Sequence, residues 1–417
     1  MSGRVLVLNS FVKGWNILKS LVRDGFEVNA GDYRSGAPGL YSNRIKDRSK
    51  NLIYPNPKID EEGFVESVLE HIQQHKFDIV VPVNAAEMMA LAKRAAKIRE
   101  YSLFPFENYY KLLLLHDKKY FFELIAGILG NNLLPLSWSI GDKTPPTSEI
   151  LDKAGLGSVP YSTMPDYPNP ERFLNSIPEL AYPVVVKTRR ATSAVGVYRV
   201  STKDEFISAC RELGNEDIIV QENLIGRGVG ISSLRWTNPK LTTHFGHKRV
   251  REYPISGGAS TSREPWDVDN HPCSDSLNEL LEKLNWHGVV MFEYKECINQ
   301  NGIFKYKLLE ANPRFWGSVP LAIANGVDFP GLLCRAAMGM EIPQIINSKS
   351  VRARIFFSDS LSAILNILKG RRVWYHLRDY FNFKNLYLDD IDFHDISATI
   401  KNIRQMFSEF FKHRKNQ

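Results

Sequence analysis

Two glutamates and an asparagine, Glu293, Glu310 and Asn312, have the spacing that most directly suggests chemistry. They lie on one face of two alternating, strand-like runs, and Asn301-Gly302 between the runs favours a two-residue type I′ turn. In such a hairpin the numbers of paired residues sum to 603. The turn therefore predicts the cross-strand pairs Glu293 with Glu310, Met291 with Asn312 and Glu296 with Lys307.

The facing carboxylates of Glu293 and Glu310 repel each other, because like charges directly opposite destabilise a sheet. A hard cation such as Mg²⁺ suits two carboxylates, and Asn312 adds a neutral oxygen on the same face. The alternative is a solvated hairpin whose glutamates splay into water. The spacing alone leaves both interpretations open.

Length and composition indicate a globular protein of two or three domains. The chain has 417 residues, of which 43% are hydrophobic and 24% charged. No apolar run reaches the roughly 18 residues of a membrane span, and Val5 to Leu8 is too short for a signal peptide, so we expect a cytoplasmic protein. The four cysteines lack Cys-x-x-Cys spacing, which predicts reduced thiols and no zinc site.

The net charge of +7 is concentrated near the end of the chain. Residues 351–417 contain 12 Lys and Arg against 7 Asp and Glu. A basic surplus can indicate nucleic acid, but the sequence has no zinc finger, helix-turn-helix or RNA-binding sheet motif. We therefore expect no nucleic-acid partner.

The elements that must position these groups begin with a βαβ unit. Residues 4–8 have the composition of a buried parallel strand, a helical pattern follows through Val22, and residues 26–30 begin a second strand. Only Gly14 stands where a dinucleotide fingerprint needs three glycines, which argues against an oxidoreductase. A further helix, strand and helix follow. The alternation of strand and helix patterns over residues 1–115 thus predicts a doubly wound α/β domain.

Further motifs follow this domain in a fixed order. They are His116-Asp-Lys118, Pro183-Val-Val-Val-Lys187, Thr192-Ser-Ala-Val-Gly196, Gln221-Glu-Asn-Leu224, His247-Lys-Arg-Val-Arg251 and Leu308-Leu-Glu-Ala-Asn-Pro-Arg314. The ordered set resembles the ATP-grasp superfamily, in its carbamoyl-phosphate-synthetase-like, carboxylate–amine ligase branch, over about residues 1–345. The resemblance implies an α/β and α+β protein, with a Rossmann-like preATP domain over 1–115. A two-lobed ATP-grasp domain would follow over 116–345, with its linker near 221–224.

The resemblance also implies a nucleotide site. Lys118 and Lys187 look like the two lysines that contact the phosphates. The small-residue loop containing Thr192, Ser193 and Gly196 resembles the one that closes over the phosphates with backbone N–H groups. By the same alignment, the adenine would be bound by Gln221, Glu222 and Leu224.

The catalytic and metal-binding groups are implied in the same way. Arg249 or Lys248 would bind the transferring phosphoryl group, and Arg314 would steady a carboxylate or acyl phosphate. Glu310 would bridge two Mg²⁺ ions, with Mn²⁺ as a substitute, while Glu293 and Asn312 take one side each.

The reaction implied by the resemblance is the ATP-dependent joining of a carboxylate to an amine through an acyl phosphate, with release of ADP and phosphate. The rival hypothesis is an ATP-binding interaction protein that has lost turnover. Intact metal residues argue against that rival. The sequence does not identify the acid, the amine or the oligomeric state.

Residues 346–417 lie beyond the resemblance and predict a basic, aromatic and mostly helical extension. The apolar positions 393, 396, 400, 403, 407 and 410 form one stripe of a helix. Aromatic and basic residues together suit an anionic surface such as the inner face of a membrane. They equally suit a helix packed on the ligase domain with a solvated basic face. Both interpretations stay open.

Overall fold

A computed structural model describes residues 3–141, 144–190, 196–214, 217–238, 240–255, 258–298, 302, 304–370 and 373–415, without side chains after 406. It has the mixed α/β architecture expected from the sequence. Across these described ranges, no helix is long and apolar enough to cross a membrane.

The first domain is built on a parallel sheet in the order β3-β2-β1-β4. Its strands are β1 (Arg4–Leu8), β2 (Glu27–Asp32), β3 (Leu52–Ile53) and β4 (Ile79–Pro82). Its helices are α1 (Val12–Arg23), α2 (Glu61–His75), α3 (Ala85–Lys93) and α4 (Ala95–Arg99). Val5 to Leu8 are fully buried, as expected for a strand covered on both faces. The connections reverse direction between β1 and β4, and ligands bind at the carboxyl ends of strands at such a point.

The second unit is a small sheet in the order β6-β5-β9-β7-β8, reached through α5 (Tyr109–His116) and α6 (Lys118–Leu129). Its strands are β5 (Ser137–Ile140), β6 (Asp166–Tyr167), β7 (Val184–Thr188), β8 (Val197–Val200) and β9 (Ile218–Glu222). Its helices are α7 (Thr147–Lys153), α8 (Pro170–Ser176) and α9 (Lys203–Leu213). The small sheet has its own apolar core around Phe173, Val186 and Phe206.

The third unit is a larger sheet in the order β14-β13-β10-β11-β12-β15-β16. Its first strands along the chain are β10 (Arg227–Trp236), β11 (Leu241–Tyr253), β12 (Ala259–Trp266), β13 (Gly288–Ile298) and β14 (Phe304–Asn312). Helix α10 (Pro272–Lys283) lies between β12 and β13, and α11 (Val319–Ala324) and α12 (Phe329–Ala337) follow β14. One continuous apolar core joins this sheet to the first domain.

The hairpin of β13 and β14 confirms part of the predicted register. Glu293 lies opposite Glu310, and Met291 lies opposite Asn312. A bulge after Glu293 then shifts the pairing by one residue, so Glu296 lies opposite Tyr306 and Lys307 opposite Lys295. The predicted Glu296–Lys307 pair is therefore wrong. Asn301 of the predicted turn lies outside the described residues.

The C-terminal extension is interwoven with the rest of the molecule. It contributes α13 (Phe356–Leu368), α14 (Val373–Tyr380) and α15 (Ile396–Lys415), and also two strands, β15 (Arg352–Arg354) and β16 (Leu386–Leu388). β15 pairs antiparallel with β12, and β16 extends the large sheet beyond it. Helix α15 packs on the first domain near the turn Pro38–Tyr41.

The packed face of α15 differs from the apolar stripe expected from the sequence. Ala398 and Asn402 are fully buried, and the amide of Asn402 donates to the carbonyl of Asp390. Phe393, Ile396 and Ile400 of the stripe are instead exposed. The physical reason is that Asp395 accepts hydrogen bonds from Trp15 and from the backbone of Asn43, which turns these three side chains outward.

Candidate active site

A cleft of about 1160 Å³ lies between the first domain, the small sheet and the large sheet. Most of the residues singled out from the sequence line it. They are Lys118, Lys187, Gln221, Glu222, Leu224, Arg249, Glu293, Glu310, Asn312 and Arg314. Three distant parts of the chain are thus brought to one site.

Lys118 is the first residue of α6, and its position is fixed by the fully buried Asp117 before it. Asp117 caps the helix by accepting from the Lys119 amide, 3.0 Å away. The same carboxylate accepts from Arg189 at 2.9 Å and Arg190 at 2.8 Å. Burial raises the pKa of Asp117, but the two arginines outweigh it and hold that pKa below its usual value. Asp117 therefore ties α6 to the end of β7.

Lys187 and Gln221 meet on neighbouring strands of the small sheet. The Lys187 amine donates to Gln221 Oε1 over 3.1 Å, and Gln221 Nε2 donates to Ser137 Oγ over 3.1 Å. Burial and the nearby Lys118 lower the pKa of Lys187 to about 7, although Glu310 and Glu293 oppose the shift. A phosphate placed here would restore the charge of the lysine.

Glu310 and Glu293 face each other but have different cationic neighbours. The Glu310 carboxylate lies 3.3 Å from the Lys118 amine, and Asn312 Nδ2 donates to it over 3.2 Å. Burial raises its pKa, yet Lys118 and Lys187 hold that pKa at about 2. Burial raises the pKa of Glu293, and Glu310 adds to this rise while Arg249 opposes it.

The donor set of Glu293, Glu310 and Asn312 fits a hard cation. Two carboxylates and an amide oxygen suit Mg²⁺, which usually takes only one or two protein carboxylates together with phosphate and water oxygens. Among the residues that the structure describes, His, Cys, Asp and Glu side chains form no group of three or more around a common point.

Arg249 crosses the cleft side of β11 and contacts Glu293. Its guanidinium also donates to Glu252 over 3.2 Å and to the Gly258 carbonyl over 3.3 Å. Gly228 on the adjacent strand makes this path available, because an added Cβ would lie 2.7 Å from Arg249 Cδ. Arg314 follows β14, and its guanidinium donates to Asn312 Oδ1 over 2.6 Å.

Two of the described residues named from the sequence, Lys248 and Gly196, are not brought to the cleft with the others. Lys248 points to the opposite face of β11, where its amine lies 3.0 Å from the buried Glu296 and over the Trp266 ring. The alternation of side chains along a strand explains this, because Arg249 occupies the cleft face. Gly196 lies directly before β8 without lining the cleft, while Thr192 and Ser193 lie outside the described residues.

The wall that the first domain contributes was missed by sequence reasoning. Asn9, Lys13 and Glu87 line the cleft, as does His116 at the end of α5. Burial, Arg314 and Lys118 lower the pKa of His116 to about 4. A signal was available, since Asn9 and Glu87 follow the ends of β1 and β4, where parallel sheets bind ligands.

A parallel N-terminal domain, two further sheets and a charged cleft between them match the fold expected from the resemblance to ATP-grasp proteins, and the comparisons confirm that fold. The family model described as the D-ala D-ala ligase C-terminus matches residues 150–252. Comparison with curated protein sequences finds no match.

Solved structures resemble most of the chain. An N5-carboxyaminoimidazole ribonucleotide synthetase in complex with ADP aligns with a TM-score of 0.62 and 13% identity, covering 88% of this chain and 85% of that one. The L-amino acid ligase from Bacillus licheniformis aligns with a TM-score of 0.55 and 14% identity, covering 81% and 74%. Biotin carboxylase from Campylobacter jejuni aligns with a TM-score of 0.58 and 11% identity, covering 84% of this chain and 74% of that one. At these identities the likeness concerns the fold.

Proposed function

We propose that this protein is an ATP-dependent carboxylate–amine ligase. A carboxylate oxygen of one substrate would attack the γ-phosphorus of ATP, the bond to the β-phosphate oxygen would break, and ADP would leave. The amine of the second substrate would then attack the acyl carbon, lose a proton and displace phosphate. The observation that carries the proposal is the convergence of Lys118, Lys187, Arg249 and Arg314 around the facing carboxylates of Glu293 and Glu310.

The roles proposed for these residues follow from charge. Lys118 and Lys187 would bind the phosphates, and Arg249 would stabilise the phosphoryl group during transfer. Arg314 would orient the carboxylate. Magnesium held by Glu293, Glu310 and Asn312 would supply charge neutralisation of the triphosphate. Positioning and neutralisation are sufficient for this chemistry, which needs no covalent intermediate on the protein.

The linker at the end of β9 supports a nucleotide on the small-sheet side. Gln221, Glu222 and Leu224 line the cleft beside the two lysines. Glu222 is fixed there because its carboxylate accepts from the Leu136 amide at 2.9 Å and its own amide donates to the Leu136 carbonyl at 2.9 Å. We propose that backbone groups of this linker contact the adenine.

The test is steady-state ADP release by the full chain with Mg²⁺, ATP and a pool of candidate carboxylates and amines. We expect release that depends on both substrates and is lost in Glu310→Gln. Tight Mg–ATP binding without substrate-dependent release would contradict the proposal and favour an ATP-binding interaction protein.

We also propose that the C-terminal extension contacts an anionic membrane surface. Trp374 is 84% exposed, Leu368 76% and Phe381 68%, although such side chains are usually covered. Residues 361–385 carry Lys369, Arg371, Arg372, Arg378 and Lys384 against a single acid, Asp379. That acid is paired with Arg251 and Arg352, so the apolar surface is accompanied by unbalanced positive charge.

Vesicle flotation of the full chain tests this second proposal. We expect flotation with phosphatidylcholine vesicles that contain phosphatidylserine and none without it. The double variant Leu368→Ala/Trp374→Ala should float less, and the control Ile53→Ala/Ile59→Ala, at exposed apolar positions of the first domain, should not change. Equal behaviour of both variants and the wild type would contradict the proposal. Truncation is a poorer test because β15 and β16 belong to the large sheet.

A further inference from the structure

The first-domain wall of the cleft contains a buried carboxylate with one free oxygen. Glu87 lies on α3, just after β4, and is 1% exposed. Its Oε1 accepts from Asn9 Nδ2 at 2.8 Å and from the Tyr54 hydroxyl at 3.2 Å. Its Oε2 is buried and has no hydrogen-bond partner among the described residues, although Glu87 lines the cleft. A buried acceptor of this kind is costly unless a ligand satisfies it.

The carboxylate of Glu87 is held in position by a network of hydrogen bonds. The Tyr54 hydroxyl that donates to Glu87 also accepts a hydrogen bond from the backbone N–H of Asn9 at 2.9 Å. Asn9 adopts a left-handed backbone conformation, with φ of 66°, directly after β1, and Arg34 donates to its Oδ1. Residues from the ends of two parallel strands thus fix Oε1, which leaves Oε2 as the group available to a ligand.

The charged side chains around Glu87 determine which charged groups a ligand of this wall must have. Lys13 and Arg314 line the same cleft and interact electrostatically with Glu87. The Lys13 amine donates to the carbonyls of Val83 and Phe315, each 3.1 Å away. Arg314 Nε is buried and has no hydrogen-bond partner in the described part of the chain. The Nε donor of Arg314 and the Oε2 acceptor of Glu87, both without a partner among the described residues, therefore belong to side chains that line the same cavity.

We propose that this wall binds a zwitterionic amino acid, with its ammonium group on Glu87 Oε2 and its carboxylate toward Arg314. The proposal rests on the proposed function, because it names the carboxylate substrate of the same site. An ammonium ion held by a buried carboxylate keeps its proton and is no nucleophile. The amino acid bound here is therefore the acyl donor, and the attacking amine comes from a second molecule.

Binding and turnover are measured separately to test this inference. In the first experiment, calorimetry on the full chain compares individual amino acids with the matching acids that lack the amino group. We expect at least one amino acid to bind about tenfold to a hundredfold more tightly than its deaminated counterpart. Glu87→Gln should remove that preference. The matched control is Glu62→Gln, the same substitution at an exposed carboxylate of the first domain, and it should keep the preference.

In the second experiment, hydroxylamine replaces the amine and traps the acyl phosphate as a hydroxamate in the presence of Mg–ATP. Hydroxamate formed from an amino acid and not from its deaminated counterpart supports the inference. Hydroxamate formed equally from both keeps the ligase proposal and overturns the ammonium site. Discrimination in binding without any hydroxamate keeps the ammonium site and overturns the ligase proposal. No discrimination in binding overturns the inference.

Discussion

Two clusters of buried charge share strand β11, and they are built in opposite ways. The cleft cluster consists of Lys118, Lys187, Arg249, Glu293, Glu310 and Arg314. The extension cluster consists of Arg251, Arg352, Arg354, Asp359 and Asp379. Arg249 and Arg251 are only two positions apart on the strand.

In the extension cluster each charge has a close counter-charge. Arg251 makes a bidentate contact with Asp359, with distances of 2.7 and 2.6 Å, and Arg354 lies 3.0 Å from the same carboxylate. In the cleft cluster like charges face each other, and the pKa of Lys187 falls to about 7 through burial and Lys118. Removing one partner of a mutually neutralised buried pair destabilises a fold, whereas like charges held close together favour a ligand that neutralises them.

The largest expected effect is the loss of stability on Asp359→Ala. The substitution leaves Arg251 and Arg354 buried without their shared partner, which typically costs about 3–5 kcal/mol of unfolding free energy. Urea unfolding measures it. The control is Glu149→Ala, which breaks an exposed pair with Lys153 and should leave the unfolding free energy nearly unchanged. Unchanged stability with lost turnover would instead assign the extension cluster to the active site.

Glu310→Gln should lower turnover strongly and stability only slightly, the reverse of what we expect for Asp359→Ala. We expect ADP release to fall by about 10²–10³-fold, because a group that organises charge during phosphoryl transfer is lost. The unfolding free energy should change by less than the Asp359 variant's, since the amide can still contact Asn312. Turnover is measured by ADP release and stability by urea unfolding. If Glu310→Gln lowers the unfolding free energy as much as Asp359→Ala does, the two clusters do not differ in their contribution to stability.

The pKa of Lys187 predicts a pH dependence of nucleotide binding. Above about pH 7 the free protein holds Lys187 neutral, and bound phosphate raises its pKa again. Binding then takes up a proton, so Mg–ATP affinity should fall as pH rises above 7, by up to about tenfold per pH unit. Calorimetry in buffers of different ionisation enthalpy measures the uptake. Lys187→Arg, which stays charged, should bind ATP without that uptake, and persistent uptake would assign the proton to another group.

The smallest effect is expected for Lys248→Met. Because its amine contacts Glu296 on the face of β11 away from the cleft, kcat/KM should change by less than about threefold. Arg249→Met, one residue along the strand, should lower kcat/KM by about 10²–10³-fold. Assays of substrate-dependent ADP release on both variants decide the point. Equal losses would return Lys248 to the catalytic role that the sequence suggested.

Much of the cleft could be predicted because its residues are local signals on strands. The alternation around Glu293 and Glu310 predicts their shared face, and the structure places them opposite each other. The choice between Lys248 and Arg249 could not be made in this way, because it depends on which face of β11 meets the cleft. The bulge after Glu293 was equally hidden, since no residue type marks it.

The sequence by itself predicted the class of fold and most of the residues that line the cleft, because these residues lie in short motifs along the chain. Tertiary structure alone decided which residues of the first domain and of the extension come together. Glu87 becomes notable only when the end of β4 is brought to Arg314. Likewise, Phe393, Ile396 and Ile400 face outward because Asp395 accepts a hydrogen bond from Trp15, far away in sequence. Long-range contacts of this kind leave no periodic signal in the chain.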